Sequence, residues 1–482
     1  MQTDGVPDAL WGRLSEFIAQ NTGLHFPPER RSDLQRGITA AAAEFGFADS
    51  AHCADWLLST TLTRPQLHTL ASHLTVGETY FFRERKTFDA LAQRILPELI
   101  RSRRGREQRL RLWSAACSTG EEPYSLAILV QQLLPDWRDW HVTILATDIN
   151  PRFLQKAAAG VYGEWSFRES PSWFKERYFT RTQDGRFAVD PQIRNCVRFA
   201  PMNLAQDCFP SLANDTNAMD VIFCRNVLMY FTPAHTRKVV ENLRNALTDD
   251  GWLAVSPTEC SQVLFSRFVA VNFPDSILYR KCNAEERSPT SIPAPSGTTP
   301  VCAAWALDVP QLSTSVVAAT QASLASLQPT LLSSQTPSPP SQTEQGPQGF
   351  SQLARALANQ GKLADALAWS ERWIGADKID PAAHYLHAMV LQETGEREAA
   401  RRSLDRAVYL QPDFVLAHFA LGNLARADAR SSAANKHFSN ALHVLRGCLP
   451  DQQLPESEGM TAGRLREIIG TLLALPDSPL SV

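Results

Sequence analysis

Apolar positions in residues 1–85 recur at helical spacing. Leu10, Leu14, Phe17 and Ile18 form one stripe that ends near Gly23. Leu34 and Ile38 start a second, Trp56 to Leu58 a third, and Leu67, Leu70 and Leu74 a fourth. Three- and four-residue spacing of this kind predicts amphipathic helices, so the first 85 residues read as an all-α domain. From about residue 108 the period changes. Short apolar runs at 110–114, 142–146, 197–199, 219–224, 252–255 and 277–280 read as strands. Helical patterns at 123–134, 151–159 and 233–247 separate several of them, and a turn is predicted at 249–251. Strands alternating with helices predict a doubly wound, Rossmann-like α/β domain over 86–282. The aromatic-rich stretch 161–196 interrupts the rhythm and reads as an insertion over the ligand side of the sheet.

Residues 283–345 are rich in Pro, Ser and Thr and poor in charge, as in SQTPSPPS at 334–341. That composition predicts a disordered linker. A repeat follows. AHYLHA at 383–388 recurs as AHFALG at 417–422, and Ala400, Leu404 and Ala407 recur as Ala434, Phe438 and Ala441. Ala354, Gly361 and Ala366 match Ala388, Gly395 and Ala400 at the same 34-residue offset. A helix-turn-helix period of about 34 residues with small residues at fixed places resembles the tetratricopeptide (TPR) repeat. About three units fit 346–450, with a capping helix and tail over 451–482. Such a solenoid would act as a binding module separable from the α/β domain.

Composition narrows the function. Lys and Arg number 47 against 50 Asp and Glu, a net charge of −3, which argues against nucleic acid as partner. No apolar run reaches the ~18 residues of a membrane span, so no membrane insertion is expected. The nine cysteines are scattered without a CxxC pair, which points to free thiols in a cytoplasmic protein and to no metal site. His384 and His387, three apart on a predicted helix, read as groove or packing residues.

The candidate chemistry begins at 113–125, WSAACSTGEEPYS. Ala115, Ala116, Ser118 and Gly120 let a ligand approach the backbone between a strand and a helix N-terminus. The loop lacks the lysine or glycine run of a phosphate site and has Glu121 and Glu122 instead. Asp148, ending the second strand, is placed either to accept ribose hydroxyls or to cap the next helix. A ribose, a cation and no phosphate fit S-adenosylmethionine.

TYFFRE at 79–84, the stretch 113–125, ATDI at 146–149, Asn203-Leu204 and FCRNVLMYF at 223–231 together resemble the motifs of the CheR family of chemotaxis-receptor methyltransferases, in the family's order. Joined through a linker to TPR repeats, the arrangement resembles the Wsp-type surface-sensing and biofilm pathway. The resemblance implies methyl transfer from S-adenosylmethionine to glutamate side chains on the cytoplasmic helices of methyl-accepting receptors. It assigns Thr79, Arg83, Asp148, Asn203, Leu204, Arg225 and Asn226 to the cofactor. Glu121 would meet the methionine portion, with Glu122 as its substitute one residue on. Arg83 and Tyr230 would stand at the transferred methyl. Gly77 occupies a cofactor-site position where the family commonly has Asn, so one cofactor hydrogen bond would be missing. Arg83 could instead form a structural ion pair with Glu84. Arg30, Arg31 and Arg36 form a basic cluster that faces either acidic receptor helices or solvent, and the arginines from 101 to 111 read as a solvated connection. A peptide is the expected ligand of the TPR groove. The competing reading is a scaffold whose methyltransferase fold only senses cofactor.

Overall fold

The computed structural model describes residues 8–170, 172–282 and 347–474, so the linker predicted at 283–345 lies outside the described residues. Four helices open the chain: α1 (Asp8–Thr22), α2 (Arg31–Phe45), α3 (Ser50–Ser59) and α4 (Arg64–Leu74). Leu14, Ile18, Leu34, Ile38, Leu57 and Leu70 meet in their shared core, all essentially without solvent contact. These are the apolar stripes of the sequence folded against one another.

Helices α5 (Arg85–Ala90) and α6 (Leu96–Arg103) lead into β1 (Arg109–Ala115). Then follow α7 (Glu121–Leu133), β2 (His141–Asp148), α8 (Pro151–Ala159), β3 (Val161–Tyr162), α9 (Ser172–Tyr178), β4 (Phe179–Arg181), β5 (Phe187–Val189), α10 (Pro191–Asn195) and β6 (Val197–Pro201). The α/β unit is completed by β7 (Met219–Phe223), α11 (Pro233–Ala246), β8 (Leu247–Ala254), β9 (Phe268–Phe273) and β10 (Ser276–Lys281). Seven strands form one sheet in the order β6-β2-β1-β7-β8-β10-β9. The first five are parallel, and β10 runs antiparallel between β8 and β9. Every residue of β1 is buried, as expected of a central strand covered on both faces. The strand order reverses between β1 and β7, and a doubly wound sheet takes its ligand in the crevice at such a point.

Two expectations change here. The turn predicted at 249–251 is a bulge inside β8, with Asp250 in the left-handed region at φ 62°. The 161–196 insertion carries a second small sheet, β3-β5-β4. It does not cover the ligand crevice: Phe167, Phe174 and Phe179 pack on Phe81, behind the 79–84 motif.

The C-terminal helices pair as hairpins: α12 (Pro347–Asn359) with α13 (Leu363–Ala376), α14 (Pro381–Glu393) with α15 (Arg397–Leu410), and α16 (Val415–Ala427) with α17 (Ser431–Leu445), before α18 (Ala462–Ala474). First helices start at 347, 381 and 415 and second helices at 363, 397 and 431, so the 34-residue sequence period is also the structural one. Gly422 shows why small residues recur: a Cβ there would lie 2.4 Å from the Phe438 ring.

The helical array is not a detached module. Leu212 and Ala213, from the loop before β7, sit in its two apolar cores. Arg109 of β1 donates to Glu393 of α14 at 3.1 Å, and both side chains are buried. Of the arginines expected to form a solvated connection, Arg101, Arg104 and Arg106 are exposed as expected, while Arg109 is taken into this junction. Arg111 is buried against Asp215, and Arg103 pairs with Asp220. Arg104 is half exposed and pairs with Asp136.

Candidate functional site

A cavity of about 440 Å³ opens at the carboxyl ends of β1, β2 and β7. That size suits a ligand of nucleoside dimensions. The turn after β1 forms its floor. Ala116, Ser118 and Gly120 all adopt positive φ, at 63°, 50° and 96°. Only glycine fits at 120, where a Cβ would meet Ala157 Cβ and the Tyr162 hydroxyl, each at 2.8 Å. The turn is laced to β2: Cys117 N donates to Thr147 O, and Ser118 N to Asp148 Oδ2, both at 2.8 Å. Non-glycine residues held in sparsely populated conformations cluster at functional sites, and Phe82, Glu84 and Asn226 around the same cavity add to the set.

Asp148 lines the cavity and is 6% exposed. Its second oxygen accepts from Asn150 N at 2.8 Å. Burial outweighs these bonds and pushes its carboxyl up to about 6. The alternative role as helix cap belongs to Asn150, whose side chain accepts from Arg152 N and Phe153 N ahead of α8.

Glu121 and Glu122 separate. Glu121 does not line the cavity; it points into the core and accepts from Thr119 Oγ1 at 2.6 Å and Ser166 Oγ at 2.9 Å. Glu122 faces the cavity, so the substitute named in the sequence takes the place. Ser114 Oγ donates to it at 2.7 Å, and Arg225 Nη1 lies 3.1 Å away. Burial raises the Glu122 carboxyl above the usual range, and Arg225 opposes that rise.

Arg225 is the buried cation of the site. Its side chain is 2% exposed and bridges Glu122 to Glu84, the latter at 2.9 Å. The ion pair with Glu84 therefore belongs to Arg225. Arg83 donates to Glu78 O at 2.5 Å and stacks over Tyr80 nearer the rim. Glu259, which the sequence reading missed, sets this wall. Its carboxylate accepts from Asn226 N and Val227 N at 2.8 Å and from Ser256 Oγ at 2.6 Å. The signal was present in SPTE at 256–259, a capping-box pattern at a strand end.

Thr79, Arg83, Leu204, Asn203, Asn226 and Tyr230 also line the cavity. Asn203 spends its side chain on Asn21 O and Ala205 N, tying the loop after β6 to α1. Tyr230 O accepts from His25 N at 2.7 Å, so the N-terminal helices close one side. Of the basic cluster only Arg30 reaches the cavity, with its guanidinium 4.8 Å from the Tyr230 ring centre. Arg31 opens α2 without lining the cavity, and Arg36 is 78% exposed and pairs with Asp33. Gly77 does not line the cavity either. A Cβ there would lie 2.6 Å from Phe153 Cζ, so an asparagine would have to displace the Phe153 ring.

These donors fit S-adenosylmethionine. Glu122 and Asp148 give the buried floor two carboxylates, with Glu84 behind, against one arginine, a balance suited to a cation. Ser118 Oγ is buried at the cavity without a partner, leaving one hydroxyl for a ligand. Among the described residues no cluster suits a metal ion and no helix is long and apolar enough to cross a membrane.

The family model described as CheR methyltransferase, SAM binding domain, matches residues 77–268. Chemotaxis protein methyltransferase 2 of Vibrio cholerae is 31% identical over 276 residues, which cover 57% of this chain and 94% of that protein. The probable biofilm formation methyltransferase WspC of Pseudomonas aeruginosa is 30% identical over 372 residues, covering 75% of this chain and 83% of that one. Chemotaxis protein methyltransferase 1 of the same organism is 37% identical over 212 residues, covering 43% and 74%.

Proposed function

This chain belongs to the CheR family of chemotaxis protein methyltransferases, and from that premise we propose how its cavity works. The enzyme transfers methyl from S-adenosylmethionine to glutamate side chains of methyl-accepting chemotaxis-type receptors, forming glutamyl methyl esters and S-adenosylhomocysteine for signal adaptation. The observation that carries this reading is the convergence of Asp148, Glu122 and Arg225 at the switch point of a doubly wound sheet with no phosphate-binding element.

S-adenosylmethionine, when bound, supplies a methyl group already activated on a sulfonium. Asp148 would receive the ribose hydroxyls and Glu122 the ammonium of the methionine portion. Thr79, Asn203, Leu204 and Asn226 would line the remainder. A glutamate carboxylate is ionised near pH 7, so this chain need not provide a general base. Its task is alignment, which can lower a barrier by several kcal/mol. Arg83 at the rim is suited to orient the incoming carboxylate through charge-assisted hydrogen bonds, with Tyr230 opposite. Val76 and Met229, 60% and 59% exposed at the mouth, give an apolar landing for a receptor helix beside Arg30. Arg31 and Arg36 would extend that basic face.

We divide the chain into 1–85, 86–282, 346–450 and 451–482 and read the hairpins as TPR repeats whose groove takes a peptide. Cofactor binding should depend on pH through Asp148. An acid raised to about 6 is ionised only above that value. The hydroxyl-accepting anion is therefore complete at pH 7 to 8 and lost as pH falls through 6. Titration calorimetry with S-adenosylhomocysteine should show affinity falling up to about tenfold per pH unit below 6. A flat profile from pH 5 to 8 would remove Asp148 from the ligand. The activity itself is tested by incubating enzyme, cofactor and a receptor cytoplasmic fragment, then mapping the product by mass spectrometry. Methyl esters on helical glutamates are expected; methylation confined to other residue types contradicts the assignment.

A further inference from the structure

The helix after the repeats, α18, reaches the wall of the cofactor cavity. Arg464 on α18 is 9% exposed on its side chain and has three partners. Its Nη2 donates to Pro201 O at 2.6 Å and to Asp207 Oδ2 at 2.7 Å, and its Nη1 donates to Glu467 Oε2 at 2.6 Å. Pro201 is the last residue of β6, paired with Asp148. The same Asp207 oxygen accepts from Asn203 N at 2.6 Å. One guanidinium nitrogen thus grips both ends of the 201–207 loop. Between those ends Met202, Asn203 and Leu204 line the cavity. Glu467, nearly one turn further along α18, is hydrogen-bonded to His68 on α4. The residues that follow α4, Thr75 and Val76, line another wall.

We propose that Arg464 is a positioning residue for the cofactor, and that α18 is a clamp completing the cofactor cavity rather than a cap of the repeats alone. Without Arg464 the loop loses the cation that joins its two ends. The 202–207 stretch belongs to no strand or helix and is otherwise tied down by Met202 N to Asp148 O and by side chains reaching Gln20 O and Asn21 O of α1, and Asp207 is only 14% exposed. A buried carboxylate stripped of its cation is unfavourable enough to move. Its movement would release the Asn203 N–H and, with it, the cavity face that Asn203 and Leu204 present. A side chain 257 positions away from Asp207 would then act on cofactor affinity without touching the cofactor.

The proposal rests on the cofactor occupying this cavity, so its test includes Asp148→Ala. In the full-length chain, Arg464→Ala and Asp207→Asn should each weaken S-adenosylhomocysteine binding by about tenfold in titration calorimetry. The double variant should be little weaker than either single one, because both remove the same contact. In turnover the Arg464→Ala change should raise KM for S-adenosylmethionine and leave kcat nearly unchanged, and Arg464→Lys should recover part of the affinity. Wild-type affinity in folded Arg464→Ala, or fully additive losses in the double variant, would overturn the clamp. If Arg464→Ala does not fold, Asp207→Asn alone decides: undiminished affinity overturns the clamp and a tenfold loss supports it. Should Asp148→Ala also bind normally, the fault lies with the site reading instead.

Discussion

Replacing Asp148 with Ala should abolish measurable cofactor binding while leaving the fold nearly as stable as before. Two charge-assisted hydrogen bonds to ribose hydroxyls contribute about 1.5–3 kcal/mol each, so their loss corresponds to ~10² to 10⁴-fold in affinity. Stability is a balance of two terms. The substitution strands the N–H groups of Ser118 and Asn150, each costing about 1–3 kcal/mol if left unsolvated. It also removes a carboxylate that burial already disfavours, as its rise to about 6 records. The cavity lets water reach the vacated donors, which offsets the loss further. Calorimetric melting and S-adenosylhomocysteine titration separate the two effects. A large fall in Tm with unchanged affinity would make Asp148 a structural residue of the turn.

Replacing Arg225 with Ala should do the reverse, with stability failing first. The guanidinium is buried between Glu84 and Glu122 and donates to Arg83 O. Deleting one member of a buried ion pair typically costs 3–5 kcal/mol, because the remaining charge is left uncompensated. Here two carboxylates are left. The sign of the pH effect follows. Burial already raises Glu122, and without Arg225 it rises further above its unfolded value. The unfavourable ionised form dominates at high pH and is relieved as pH falls and the carboxyl takes up a proton. The Tm gap between wild type and Arg225→Ala should therefore be wide at pH 8 and narrower at pH 5. A gap that widens on acidification would contradict the account of the pair.

Much of this site was legible because its elements are local. The alternation of strand and helix from 108 to 282 yields the doubly wound sheet, and the switch point then brings 113–125, 146–149 and 223–231 together. The 34-residue offset appears in structure as in sequence: the hairpins start at 347, 381 and 415, and at Gly422 a small residue lets the two helices of one hairpin close on Phe438. What escaped the sequence depended on geometry or distance. Glu121 and Glu122 are adjacent acids in one helical turn, and which of them faces the ligand is decided by the positive-φ turn before them. Arg109 and Arg111 look like a solvated basic run until distant carboxylates bury them, Glu393 of α14 on Arg109 and Asp215 on Arg111. The same distance hid the attachment of the C-terminal helices. No local pattern pairs Arg109 with a glutamate 284 residues away, so a separable module was expected where the chain builds a shared interior. Deleting 346–482 would expose Leu212, Ala213, Arg109 and Asp207, so that truncation tests stability as well as peptide recruitment.

The most direct measurement is methyl transfer from labelled S-adenosylmethionine to a purified receptor cytoplasmic domain, with the wild-type chain and Asp148→Ala side by side. The account predicts label on the receptor with the wild type alone, released as methanol by mild base as a glutamyl ester must be. Receptor that stays unlabelled, or label that resists base, would contradict it.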